Sequence, residues 1–244
     1  MTATQLHSYL QFSIANNLPV LIKGKPGIGK SDIITAAATA ANAHLIISHP
    51  VISDPTDYKG FPFAANGQAD FLPFGHLRQL INATSKTVFF LDDLWQAPPT
   101  VQAAVMQLIL ARCINEHKLS QHVTFIAATN RREDKAAVSG LLEPVKSRFA
   151  AIVELEVSPD DWVIWALNNN MPTELIAFIR FRPDLLDNFQ PSKDIVNTPT
   201  PRTVANVGKQ QNAGLPKDIE FEIFKGAAGE AFAVEYCAFL DLVS

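Results

Sequence analysis

The 244-residue sequence predicts an α/β protein: a parallel sheet covered by helices on both faces, followed by a smaller helical domain. Three observations carry this expectation. Short apolar runs alternate with helical patterns over the first two thirds of the chain. One of them, Thr87-Val88-Phe89-Phe90-Leu91, is continuous, as a central strand buried on both faces must be. Beyond Ser158-Pro159-Asp160 the strand patterns stop and only helical spacing remains.

The elements follow in order. Leu6, Tyr9, Leu10 and Ile14 place a helix over Thr4–Asn17, closed before Pro19. Val20-Leu21-Ile22 is a strand, the alanine-rich stretch to Asn42 a helix, and Leu45-Ile46-Ile47-Ser48 a second buried strand. From His49 to Gly75 the prolines at 50, 55, 62 and 73 indicate loops. Within them Ala65-Asn66-Gly67-Gln68, between Phe61/Phe63 and Phe71, predicts a short hairpin. A helix over 76–83 precedes strand 87–91, and Pro98-Pro99 opens a helix to about Arg112. A second hairpin is expected near Asn115–Lys118, then strand Val123–Ala128, a short helix from Pro144 to about Arg148 and strand Ala151–Leu155. The helical remainder is broken by the Pro/Thr-rich link Asn197–Pro201, and Phe232, Tyr236, Phe239 and Leu240 share one face of the last helix. The expected domains are 1–158 and 159–244.

Composition narrows the class. With 48% hydrophobic and 18% charged residues, the chain is suited to a packed core and not to disorder. No apolar stretch approaches the ~20 residues of a membrane span, and no basic residue precedes an apolar block at the start. Two cysteines, Cys113 and Cys237, without metal-ligand spacing fit reduced thiols, so the expected location is cytoplasmic. A net charge of −4 makes the whole surface no trap for nucleic acid.

The chemistry is concentrated in Gly24-Lys25-Pro26-Gly27-Ile28-Gly29-Lys30-Ser31, which fits G-x-x-x-x-G-K-[ST] without a mismatch. A strand leads in and a helix leads out. The glycines let the backbone wrap an anion, so that successive N–H groups and the helix N-terminus face a phosphate. Lys30 supplies charge to the outer phosphates, and the Ser31 hydroxyl is an Mg²⁺ ligand. The alternative, a glycine-rich turn that binds nothing, requires the match and its flanking elements to be coincidental.

Four further features stand out, five residues in all. Strand 88–91 ends in Asp92-Asp93: one acid can hold Mg²⁺ through water, the other can orient or deprotonate an attacking water. The competing role for such a pair is helix capping. Strand 125–129 ends in Asn130, which lies beside the acids if this strand sits between the first and third, and which is otherwise an ordinary turn residue. Arg148 closes a short helix, where the dipole alone would favour it. Arg202 opens a helix in the second domain and, taken alone, is a surface residue.

In this order, these five pieces resemble the AAA+ ATPase superfamily across essentially the whole chain. The resemblance makes 24–31 Walker A, 88–93 Walker B, Asn130 sensor 1, Arg148 the arginine finger and Arg202 sensor 2. It implies a five-stranded parallel P-loop sheet of order 5-1-4-3-2, a helical lid and a ring, most simply a hexamer. ATP would be held by 24–31 and Arg202, Mg²⁺ by Ser31 and Asp92, with catalysis by Asp93, Asn130 and Arg148. Asp54-Pro55-Thr56-Asp57-Tyr58-Lys59-Gly60, Phe74-Gly75-His76-Leu77, Ala127-Ala128-Thr129-Asn130, Leu142-Glu143-Pro144 and Ser147-Arg148-Phe149 are similar to the MoxR-type branch. That branch implies a chaperone-like remodeller, often with a von Willebrand A domain partner, and makes Phe61, Phe63 and Phe71 candidate contact residues. One departure stands out: the second Walker B acid is Asp93 where the family has glutamate, so hydrolysis could be slow. A nucleic-acid motor or loader, touched by Arg131 and Arg132, and a slow ATP-dependent switch are the competing classes. No aromatic-interleaved basic run favours nucleic acid.

Overall fold

The structure is a computed structural model that describes residues 1–131 and 143–243. Arg132, Leu141 and Leu142 lie outside the described residues. The chain divides into two compact units, one of residues 1, 5–24 and 30–155 and one of residues 2–4, 25–29 and 156–244.

In chain order the first elements are α1 (Ala3–Ala15), β1 (Val20–Gly24), α2 (Lys30–Ala40), β2 (His44–Ser48), α3 (Thr56–Lys59), β3 (Phe61–Ala65) and β4 (Gln68–Leu72). Next come α4 (His76–Ile81), β5 (Thr87–Leu91), α5 (Pro99–Ala111), β6 (Cys113–Ile114), β7 (His117–Lys118) and β8 (Val123–Asn130). α6 (Glu143–Lys146) and β9 (Ala151–Glu154) complete this part of the chain. β2, β5, β8, β1 and β9 form one sheet in that order, every pairing parallel. In sheet-strand numbering this is the expected 5-1-4-3-2, so the chain has the P-loop NTPase arrangement.

The register follows from burial on both faces. Leu21, Phe89, Leu91, Val123, Phe125 and Ala127 project to one side and pack with Tyr58, Leu77, Leu80, Val101, Val105 and Leu108. Their neighbours Val20, Ile22, Val88, Phe90, Ile126 and Ala128 are equally buried on the other side. Leu6, Leu10 and Ile14 of α1 and Ile34, Ala37 and Ala38 of α2 are also buried. Because both faces are apolar and buried, a one-residue slip would not expose these side chains but would set large against large and small against small, a misfit that costs about 1–3 kcal/mol at each overpacked position. Tyr9 departs from the expected apolar stripe: it is half-buried and stacks on Phe12.

Turn chemistry sets the connections. Asn66 and Gly67 both have positive φ, 51° and 76°, which two-residue hairpin turns demand, and β3 pairs antiparallel with β4 apart from the main sheet. α5 ends at Ala111 because Arg112 takes a left-handed conformation. From there its guanidinium donates to Ser120 O at 3.0 Å and Val123 O at 2.9 Å, tying the helix to the start of β8. α6 ends two residues before Arg148, which lies in the following turn.

The second unit contains α7 (Pro159–Asn168), α8 (Thr173–Phe181), α9 (Pro201–Asn212), α10 (Glu220–Ala228) and α11 (Glu230–Val243). Phe178, Phe224, Phe232 and Tyr236 form its aromatic centre, with Phe178 and Tyr236 centroids 5.0 Å apart. The Tyr236 hydroxyl donates to Gln211 Oε1 at 2.6 Å, and burial pushes its pKa up. The Thr200 side chain accepts from Thr203 N in a reciprocal capping box that starts α9.

Gly229 makes the α10–α11 corner, with φ +95° and ψ 162°, a region open essentially to glycine alone. A Cβ there would lie 2.8 Å from Asn197 O. Gly229→Ala should therefore lower stability by roughly 2–3 kcal/mol in urea unfolding. Gly226→Ala, in open space within α10, should raise it by about 0.5–1 kcal/mol.

Candidate active site

The carboxyl ends of β1, β8 and β5 lie side by side, the edge at which open α/β sheets present ligand sites. The register sets Gly24 opposite Asn130, and Leu91 opposite Ala127. Asp92 and Asp93 follow Leu91 directly. Three separate sequence features therefore meet at one edge.

Lys30, the first residue of α2, is 8% exposed. Its ammonium donates to Gly24 O and to Asn130 Oδ1, each at 3.0 Å. The other end of the same amide, Asn130 Nδ2, donates to Asp93 Oδ1 at 3.2 Å. Asn130 thus joins the lysine and the acid, and its two neighbours determine which way its amide faces. Ser31, next on the first turn of α2, is half-buried.

The two acids differ. Asp92 is fastened through its backbone, whose N–H donates to Ser48 O at 2.9 Å. Burial first, and then the charge of Asp93, push its carboxyl above the usual carboxylate range, partly offset by His49 and Lys30. His49 Nδ1 stands 3.8 Å from Asp92 Oδ2. Asp93 takes a left-handed conformation, φ 54° and ψ 37°, at the start of a one-turn 3₁₀ segment. Its side chain makes no capping hydrogen bond, so the helix-capping role lacks its defining contact.

Arg148 is half-buried in the first unit. Its Nε is buried and makes no hydrogen bond, and among the described residues no ion pair joins the guanidinium to an acid. The structure therefore does not bring Arg148 into contact with the Asp92–Asp93 pair of its own chain.

Residues 25–29 belong to the second unit, where they meet the start of α9. Gly27 has φ +75°, and a Cβ on it would lie 2.7 Å from Thr200 Oγ1. Gly27 O accepts from the backbone N–H of Arg202 at 3.0 Å, while the Arg202 side chain is exposed. Lys25 pairs with Asp187 at 2.7 Å. Ile28 is buried, and Pro26 and Gly29 are partly so.

Sequence reasoning missed three residues at these places: His49, Asp187 and the packing role of Thr200. His49 was within reach, since it follows a strand that parallel pairing sets beside β5. Asp187 carried no local signal. Among the described residues no group of three or more His, Cys, Asp or Glu is placed to hold a metal, and no helix is long and apolar enough to cross a membrane.

Comparison with solved structures finds the same architecture. The Thermotoga maritima RuvB Holliday junction branch migration motor is similar at 16% identity and TM-score 0.54, over 98% of this chain and 68% of that one. Two point mutants of that RuvB align likewise, at 16% and 15% identity and TM-scores of 0.54 and 0.55. Each covers 98% of this chain, over 69% and 68% of its own length. At such identities the likeness is one of fold. No curated protein sequence gives a match. The family described as ATPase family associated with various cellular activities matches residues 20–157, more than half of the sequence, and the chain belongs to that AAA family.

Proposed function

We propose that the chain binds and hydrolyses ATP and works in a ring as a MoxR-like, chaperone-like remodeller of a partner protein, with 1–158 as the nucleotide-binding domain and 159–244 as the lid. The observation that carries this reading is the bridge from Lys30 through Asn130 to Asp93. It links a phosphate-binding cation to a base through a group that can hold water. Such a chain has no evident purpose in a fold that only needs to be stable.

In this reading the backbone of 24–31 cradles the phosphates, with Arg202 assisting. Lys30 exchanges a neutral oxygen for a charged phosphate oxygen, a stronger hydrogen bond. Mg²⁺, when bound with the nucleotide, neutralises phosphate charge. Ser31 and Asp92 are the oxygen donors that suit it, and a cation there would offset the burial, and then the Asp93 charge, that raise the Asp92 carboxyl. Asp93 accepts the proton of the attacking water as its oxygen bonds to the outer phosphorus and the bond to ADP breaks. Asn130 aligns that water. Arg148, with no acid partner among the described residues of its own chain, enters a neighbour's site in the ring, most simply a hexamer, and stabilises transition-state charge. The left-handed backbone at Asp93 supports a site built around the shorter acid, because its carboxylate still reaches Asn130.

Protein as the substrate is favoured by the β3–β4 hairpin, where Phe61 is 58% and Phe63 37% exposed. Phe71 instead packs on the core. A von Willebrand A domain protein would be the partner that the MoxR-like reading suggests. The second reading, a nucleic-acid motor, draws on the likeness to RuvB, a Holliday junction branch migration motor. Against it, Arg131 already lies 3.9 Å from Glu154. A cytoplasmic location accords with the reduced cysteines.

Three measurements test these roles. ATP turnover should require Mg²⁺, fall at least 100-fold in Lys30→Ala, and be unmoved by single-stranded DNA or RNA; stimulation by nucleic acid would favour the motor. Asp93→Asn should keep ATP binding and lose most turnover, since the amide cannot take a proton, and Asp93→Glu should crowd the site and slow it. Asp92→Asn should raise the unfolding midpoint of nucleotide-free protein at pH 7. The sign follows from an acid whose folded pKa is raised: its ionised form destabilises the fold, so stability is lost as pH rises past that pKa. The gain should vanish at a pH low enough to protonate Asp92.

A further inference from the structure

Lys25 is the variable second residue of the phosphate-loop pattern, and its ammonium invites the reading of a second phosphate ligand. The geometry points to a different role: we propose that Lys25 and Asp187 are a pair of positioning residues that hold the loop 25–29 in shape, leaving phosphate contact to the loop backbone and Lys30. This rests on the nucleotide-site reading above and deepens it. The two groups meet at 2.7 Å, 162 residues apart in sequence, with side chains only 30% and 22% exposed.

The Asp187 carboxylate is costly as placed. Lys25 occupies Oδ2, while Oδ1 is buried without a hydrogen-bond partner. A part-buried carboxylate with one oxygen buried and unsatisfied contributes poorly to stability, so its presence calls for a purpose other than packing. Two further contacts act on the same loop from the same stretch of chain. The Arg202 N–H donates to Gly27 O, and Thr200 Oγ1 packs so close that a Gly27 Cβ would lie 2.7 Å from it. Residues 187, 200 and 202 thus fasten positions 25 and 27, and these fastenings bracket Pro26, whose φ is already restricted. A loop whose N–H groups must converge on an anion loses less entropy on binding when it is held this way.

The test is a double-mutant cycle read by titration with a fluorescent ATP analogue in Mg²⁺. Lys25→Ala and Asp187→Ala should each weaken binding about 5- to 10-fold, as expected for a part-buried ion pair. The double variant should be no weaker than either single one, and Lys25→Asp with Asp187→Lys should recover most of the loss. In Asp187→Ala, turnover at saturating ATP should stay within about 2-fold, because Lys30 and Asp93 are untouched. A direct phosphate contact predicts the opposite pattern: Asp187→Ala would leave affinity unchanged or improve it, and the effects would add, which would overturn the proposal. Hydrogen exchange of nucleotide-free protein is the second readout and serves where Asp187→Ala folds poorly, with Asp187→Asn in its place. Amides 27–29 should exchange faster in both single variants and recover in the swap; no change would also overturn the pairing. If parent and Lys30→Ala both fail to bind the analogue, the nucleotide reading fails, while hydrogen exchange still decides the role of the pair.

Discussion

The parallel register of β1, β8 and β5 is the constraint on which the candidate site depends. Gly24 faces Asn130 only because Val20 faces Ile126 four residues earlier, and Asp92 follows Leu91 only because Leu91 is held opposite Ala127. That alignment is enforced by apolar groups with no polar role. Phe89 and Phe125 meet edge to face at 6.0 Å, and both strands are buried on both faces. A slip would exchange the two faces of each strand and would carry Asn130 away from Lys30. The placement of a polar amide is thus an outcome of hydrophobic packing at the middle of the sheet.

At the end of that sheet the physics reverses. Two adjacent carboxylates, a lysine that is 8% exposed and a left-handed aspartate are each unfavourable for stability taken singly. They persist because the core beneath them overdetermines the backbone. Asn130 is the neutral element that lets them coexist: its amide gives each charge a dipole of the right sign without cancelling either. The raised Asp92 carboxyl records what remains uncompensated, its burial first and then the charge of Asp93.

How much of this could be read from sequence varies with distance along the chain. The P-loop fold was legible because each strand is a local apolar run and each break has local turn chemistry. Asn66-Gly67 is the clearest case, since both residues adopt the positive φ that their identity favours. The meeting of Gly24, Asp92 and Asn130 was legible at one remove, once the strand order was assumed. The left-handed turn at Asp93 was not, because aspartate tolerates that conformation without announcing it. Asp187 was invisible for a different reason. Nothing near it in sequence resembles a motif, and its partner lies 162 residues away.

The glycine-rich loop shows why a motif match constrains residue identity before it specifies conformation. Gly24 and Lys30 take their positions from the sheet and from α2, whereas residues 25–29 cluster with the helical unit. The glycine at 27 is needed for its positive φ, but it is also needed because Thr200 fills the space a side chain would take. A pattern of eight residues cannot state the second requirement, which belongs to a helix cap late in the chain. Two sequences sharing the motif could therefore hold their loops quite differently. In this chain the difference lies in the polar groups of residues 187 to 202, whose capping box and carboxylate act on the loop where the motif itself leaves residue choice free.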